Sequence, residues 1–228
     1  MKAEHEDTVA LGPGQAIVAW SAWVVVTVVA ATLGLVVTDV PILRMDDVSF
    51  RGDNALAPLT YFACGLALII APLVGVGQGL IIKRLFAGPK WQVWIIVTFL
   101  GVIIVEVLIP ILGILSNGNL GNVFTPIVLG AMLGLPQAVA LRGIHRAGWW
   151  PVISSTAWLL GAFAGVAVEA MFFPEPTEGW LFYPLQAAIE WGISWAAATA
   201  VYAMVTGAAL IWLARLATIA RPVNARSN

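Results

Sequence analysis

The chain has 228 residues, 61% of them hydrophobic and 10% charged, with a formal net charge of −1. Soluble globular chains carry about 25% charged residues, so much of this surface has to face lipid, and the balance offers no basic face for nucleic acid. The single cysteine, Cys64, excludes an intrachain disulfide and reads as a small buried hydrophobe.

A helix rising ~1.5 Å per residue needs about 20 apolar residues to cross a ~30 Å hydrocarbon core. Six stretches meet that length: 16–37, 59–82, 91–115, 123–141, 149–173 and 191–214. None alternates with period two, which disfavours a β-barrel. The expected fold is therefore all-α: an integral membrane bundle of about six transmembrane helices over residues 16–215, between tails at 1–15 and 216–228. The first run follows a polar tail holding Glu4, Glu6 and Asp7 and is longer than a signal-peptide core, so it is expected to be retained as a helix.

Taken in chain order, the first run opens with Trp20 and Trp23. The second carries Cys64 and Pro72, then Gly75, Gln78 and Gly79, and ends at Lys83 and Arg84. The third opens with Trp91 and Trp94 and contains Glu106 and Pro110. The fourth holds Gly130, Gly134, Pro136 and Gln137 before Arg142, and the fifth opens with Trp149 and Trp150 and runs through Gly161, Gly165 and Glu169. The sixth begins beside Glu190 and closes with Gly207, Leu210 and Arg215. Prolines inside helices remove a backbone hydrogen bond and allow a bend.

The cations alternate with each crossing. Lys2, Lys83, Arg84, Lys90, Arg142, Arg146, Arg215, Arg221 and Arg226 fall on one face, and only Arg44 and Arg51 on the other. The positive-inside rule then places both termini in the cytoplasm, in agreement with an even number of crossings.

The even-numbered helices share one spacing at their cytoplasmic ends: Gly75, Gln78, Lys83; Gly134, Gln137, Arg142; Gly207, Leu210, Arg215. Gln78 precedes Trp91, and Gln137 precedes Trp150, by thirteen residues. The pattern predicts three tandem helical hairpins. Tryptophan at the headgroup level and cations at cytoplasmic ends are ordinary membrane features. The glutamines are not, and beside glycines they are expected to act as packing glue, hydrogen-bonding across a close helix contact. The packing set is Gln78, Gln137, Gly75, Gly130, Gly134, Gly161 and Gly165.

The run Gly134, Leu135, Pro136, Gln137, Leu141, Arg142, followed by Ala147, Gly148, Trp149 and Trp150, resembles a repeat of uncharacterised multi-pass bacterial membrane proteins frequent in photosynthetic bacteria, with G-x-x-Q-x4-[KR] and W-W hairpin motifs. The resemblance covers the second to fifth helices best and implies a multi-pass helical fold in a bacterial cytoplasmic membrane, without an activity. Leu210 stands where the sixth helix would carry a glutamine.

Ionisable groups inside a membrane are functional candidates by default. Glu106, about 22 Å from the cytoplasmic edge at helical rise, Glu169 and Glu190 all fall in the outer half. Glu169 continues the Gly161 and Gly165 stripe, and Glu190 shares a stripe with Gln186 and Ser194. They form a candidate intramembrane polar or ion site, or else lie separately at the interface; both arrangements stay open.

The two histidines, His5 and His145, lie outside the runs, so no transmembrane histidine is offered to haem or a chlorin. No lysine lies mid-membrane for a retinal Schiff base, no phosphate loop is present, and no cluster has zinc-ligand or Ser-His spacing. No cofactor, metal or catalytic residue is expected. Two readings follow. One is a non-enzymatic membrane scaffold or accessory subunit, whose partners are the lipid bilayer and other membrane subunits. The other is a small-solute or cation permease, or the solute-binding subunit of an importer, using the outer-half carboxylates.

Overall fold

A computed structural model describes residues 12–43, 56–86, 90–115, 124–173 and 184–219. It is an all-α bundle. Among the described residues there are six α-helices: α1 Pro13–Leu43, α2 Leu56–Leu85, α3 Lys90–Leu115, α4 Phe124–Ala140, α5 Trp150–Phe172 and α6 Pro184–Ile219. Several overrun the apolar stretches, most of all α6 at 36 residues, because helix geometry continues past the point where hydrophobicity falls. A 3₁₀ turn, Ala147–Trp149, leads directly into α5, where Pro151 occupies the first turn and needs no amide donor.

Among the described residues three stretches, Pro13–Leu33, Ala147–Phe172 and Gly192–Ala217, are long and apolar enough to cross a membrane. Large apolar side chains such as Val25, Val29, Ile96, Leu100, Phe163 and Val166 are exposed on the outside of the bundle. Such a surface suits lipid, not water.

Successive helices pack on one another, and α6 returns to pack on α1, so the six form a closed ring. Glycines set the close approaches. A Cβ on Gly130 would stand 2.5 Å from Ser155 Cα, and one on Gly161 2.5 Å from the Ala198 carbonyl oxygen, so α4 and α6 meet α5 with backbone nearly touching backbone. Gly207 brings α6 against α1, where a Cβ would meet Trp23 Cδ1 at 2.9 Å. Each contact would be lost to any larger side chain.

The end carrying Lys83, Arg84, Arg142, Arg146 and Arg215, all exposed, is called the basic end below. The core just inside it gathers Trp23, Trp94 and Trp150 with Ile82, Leu141, Leu210 and Leu213, all at most 1% exposed. Towards the far end a second cluster joins Val105 of α3, Leu129 and Leu133 of α4, Ala157 of α5 and Tyr202 of α6.

Candidate functional site

Of each pair of tryptophans expected at the headgroup level, only one member stays towards the bundle surface. Trp149 is exposed and Trp20 and Trp91 are half-buried, whereas Trp23, Trp94 and Trp150 turn inward and meet. Ring centroids of Trp23 and Trp94 are 5.7 Å apart, and those of Trp94 and Trp150 5.6 Å, both edge to face. Edge-to-face contact matches the positive ring edge to the negative face. These residues come from α1, α3 and α5, which are not neighbours in the ring, so the contacts lie across its interior.

Each indole N–H is taken by the even helix on one side. Trp94 Nε1 donates to Gln78 Oε1 at 3.2 Å, and Trp150 Nε1 to Gln137 Oε1 at 2.9 Å. The other end of each glutamine reaches back to the preceding odd helix. Gln78 Nε2 donates to Thr27 Oγ1 at 3.0 Å, and Gln137 Nε2 to Thr98 Oγ1 at 3.1 Å. Each glutamine therefore bridges two helices besides its own, and both are fully buried.

The third hairpin reaches the same result with different residues. Leu210, aligned with the glutamines, is buried and apolar. One turn earlier, Thr206 Oγ1 accepts the Trp23 indole at 3.1 Å and donates to the Tyr202 carbonyl at 2.8 Å. The Tyr202 hydroxyl lies 3.5 Å from Ser154 Oγ. Thr206 thus supplies the acceptor half of a glutamine's role, and Tyr202 the link to the preceding odd helix. The circuit of α1, α2, α3, α4, α5 and α6 closes on itself.

The hydroxyls reached by the even helices, Thr27, Thr98 and Ser154, each follow a buried tryptophan by four residues, one turn along the same face. The spacing W-x-x-x-[ST], three times over, is the signal that marks them. It also shifts the register: Trp94, sixteen residues after Gln78, corresponds to Trp150, thirteen after Gln137. The two connections at the basic end differ in length.

Of the three candidate carboxylates, Glu169 is not drawn into this interior. Glu169 is exposed, although Gly161 and Gly165 are buried against α6. An i, i+4 stripe rotates by about 40° per step around a 3.6-residue helix, so eight residues beyond Gly161 the side chain has turned some 80° off the contact. This corrects the placement of Glu169 on the packing stripe. Glu190 is half-buried in α6, one turn before Ser194. Glu106 belongs to α3, but its side chain lies outside the described residues. Among the described residues no three His, Cys, Asp or Glu side chains group as metal ligands.

The basic end is dressed by two cation–π contacts. Lys83 Nζ lies 5.3 Å from the Trp91 ring centroid and the Arg146 guanidinium carbon 5.7 Å from that of Trp212. Arg146 adopts a left-handed backbone with φ of 65°. That conformation is strained for a residue with a Cβ.

No known protein family, curated protein or solved structure matches this chain.

Proposed function

We propose that this protein is a non-enzymatic scaffold or accessory subunit of a bacterial cytoplasmic membrane, with both termini on the cytoplasmic side. The observation that supports the reading is the closed circuit of Trp23, Gln78, Trp94, Gln137, Trp150 and Thr206. Its six groups are buried and bonded to one another or to Thr27 and Thr98, the Tyr202–Ser154 contact completes it, and it contains no carboxylate, histidine or lysine that could relay a proton. Opening a solute path through it would strip several hydrogen bonds in a medium with no water to replace them. The apolar layer of Ile82, Leu141, Leu210 and Leu213 lies with it at the basic end. A body so braced suits a fixed spacer presenting its outer faces to lipid and to other subunits.

The deciding experiment is purification of the tagged protein from its native membrane in mild detergent, with mass spectrometry of what accompanies it. Stoichiometric membrane partners are expected. A single species that transports a small solute, with uptake lost in Glu106→Gln, would overturn the reading in favour of a permease.

A further inference from the structure

Hydrogen-bond satisfaction changes abruptly with depth. Near the basic end the three buried indoles, Trp23, Trp94 and Trp150, donate into the circuit, and half-buried Trp20 donates to the Met204 carbonyl at 3.1 Å. Farther in, four buried polar atoms have no partner among the described residues: Thr32 Oγ1, Trp158 Nε1, Ser194 Oγ and Trp195 Nε1. Counted at helical rise from Trp23, Trp150 and Thr206, they lie about 12–18 Å away, in a layer towards the far end. Orphan donors in a membrane interior are costly, and native structures seldom leave them without a reason.

Two of the four, Trp158 of α5 and Trp195 of α6, meet in space, and Ser194 precedes Trp195 in the chain. The rings of Trp158 and Trp195 are 6.0 Å apart in edge contact, and Trp158 also lies 5.5 Å from the Tyr202 ring, giving a ladder Trp195–Trp158–Tyr202. Trp158 packs against the cluster of Val105, Leu129, Leu133, Ala157 and Tyr202, so the Trp158–Tyr202 end of the ladder faces the inside of the ring. Ser194, beside Trp195, lacks with Thr32 the bond that other helix hydroxyls make to their own backbone. Thr27, Thr199 and Thr206 each bond the carbonyl four residues earlier, and Ser194 does not.

The chemistry of what would satisfy this layer is narrow. An indole N–H only donates, so the ligand needs an acceptor oxygen. A carboxylate or phosphate is disfavoured, since Glu190 stands one turn from Ser194 on the same face. The aromatic ladder favours a flat apolar body. We propose that this layer binds a neutral, flat, membrane-soluble carbonyl compound of the quinone class, with a carbonyl oxygen held by Trp158 Nε1, Trp195 Nε1 or Ser194 Oγ and the ring against the ladder. The site is independent of whether the protein is a scaffold.

The test uses the full chain in lipid nanodiscs, ¹⁵N-labelled at the indole nitrogens, with decylubiquinone as the probe. Saturable quenching of tryptophan fluorescence is expected, with downfield movement of the Trp158 and Trp195 indole resonances. Trp158→Phe and Trp195→Phe keep the ring and remove the donor, and each should weaken binding about fivefold, with Ser194→Ala smaller in effect and the exposed Trp149→Phe without effect. Quenching that rises without saturation and equally in all forms would overturn the proposal. So would indole resonances that exchange rapidly with D₂O and ignore the probe, since water would then fill the layer. Because the resonance shifts are read on the unaltered protein, the test holds even if a tryptophan variant folds poorly.

Discussion

The indole N–H of Trp150 donates to Gln137 Oε1 at 2.9 Å, tying the fourth helix to the fifth through two side chains that are both at most 1% exposed. Removing the glutamine leaves the Trp150 donor and the Thr98 hydroxyl without their partner. Gln137→Leu should lower stability by about 2 kcal/mol, within the usual range for an unsatisfied buried group. Gln78→Leu should match it, whereas Leu210→Gln, which adds an amide where Thr206 and Tyr202 already serve, should destabilise. Thermal unfolding in one detergent checks all three.

Trp23 and Thr206 close the ring between the first and last helices at 3.1 Å. A double-mutant cycle with Trp23→Phe and Thr206→Val isolates that bond from the packing around it. The coupling energy should fall at about 0.6–1.7 kcal/mol, the span for interhelical hydrogen bonds in membranes. Coupling near zero would mean that apolar contact alone closes the ring.

Glycine positions should divide sharply by what surrounds them. Gly130→Ala drives a methyl into Ser155 Cα and the Ser154 carbonyl, neither of which can swing aside, and should cost at least ~2 kcal/mol. Gly192 lies inside α6 with nothing among the described residues within 4 Å of a Cβ. Gly192→Ala should stabilise by up to about 1 kcal/mol through helix propensity. The two melting temperatures are therefore expected to move in opposite directions.

Arg146 combines a strained backbone with a favourable ring contact. Arg146→Gly relieves the left-handed conformation and loses the Trp212 contact, so its net effect should be small. Arg146→Ala loses the contact and keeps the strain, and should be less stable than the glycine variant by about 1 kcal/mol.

Membrane orientation is testable at the exposed His145. With Cys64 replaced by alanine, His145→Cys should react with an impermeant maleimide in inverted vesicles and resist it in intact cells. The reverse pattern would place the basic end outside.

The bundle was legible because apolar runs of membrane length are hard to mistake, and the glutamines stood out because Gln is rare in such runs. Thr206 was not, because threonine is unremarkable in a helix and its role depends on α6 bringing it one turn nearer the Trp23 indole than Leu210. The choice of Trp94 over Trp91 likewise turns on helix rotation, since both lie at the mouth of α3 and only one faces the axis. Glu169 was misplaced for the same reason: an i, i+4 pattern read over two turns ignores its own drift. Sequence spacing gives the order of these groups along each helix and leaves their azimuth open.

Closure of the ring has a consequence for biogenesis. Residues 23 and 206 meet across 183 positions of sequence, so the first helix enters the bilayer long before its partner has been synthesised. Until the last hairpin arrives, α1 carries an indole donor with no acceptor and a glycine-shaped face with nothing against it. The half-made protein is an open arc with two unguarded edges. The insertion machinery has to hold that arc until α6 locks it, and chains cut short before residue 206 leave it open for quality control to find.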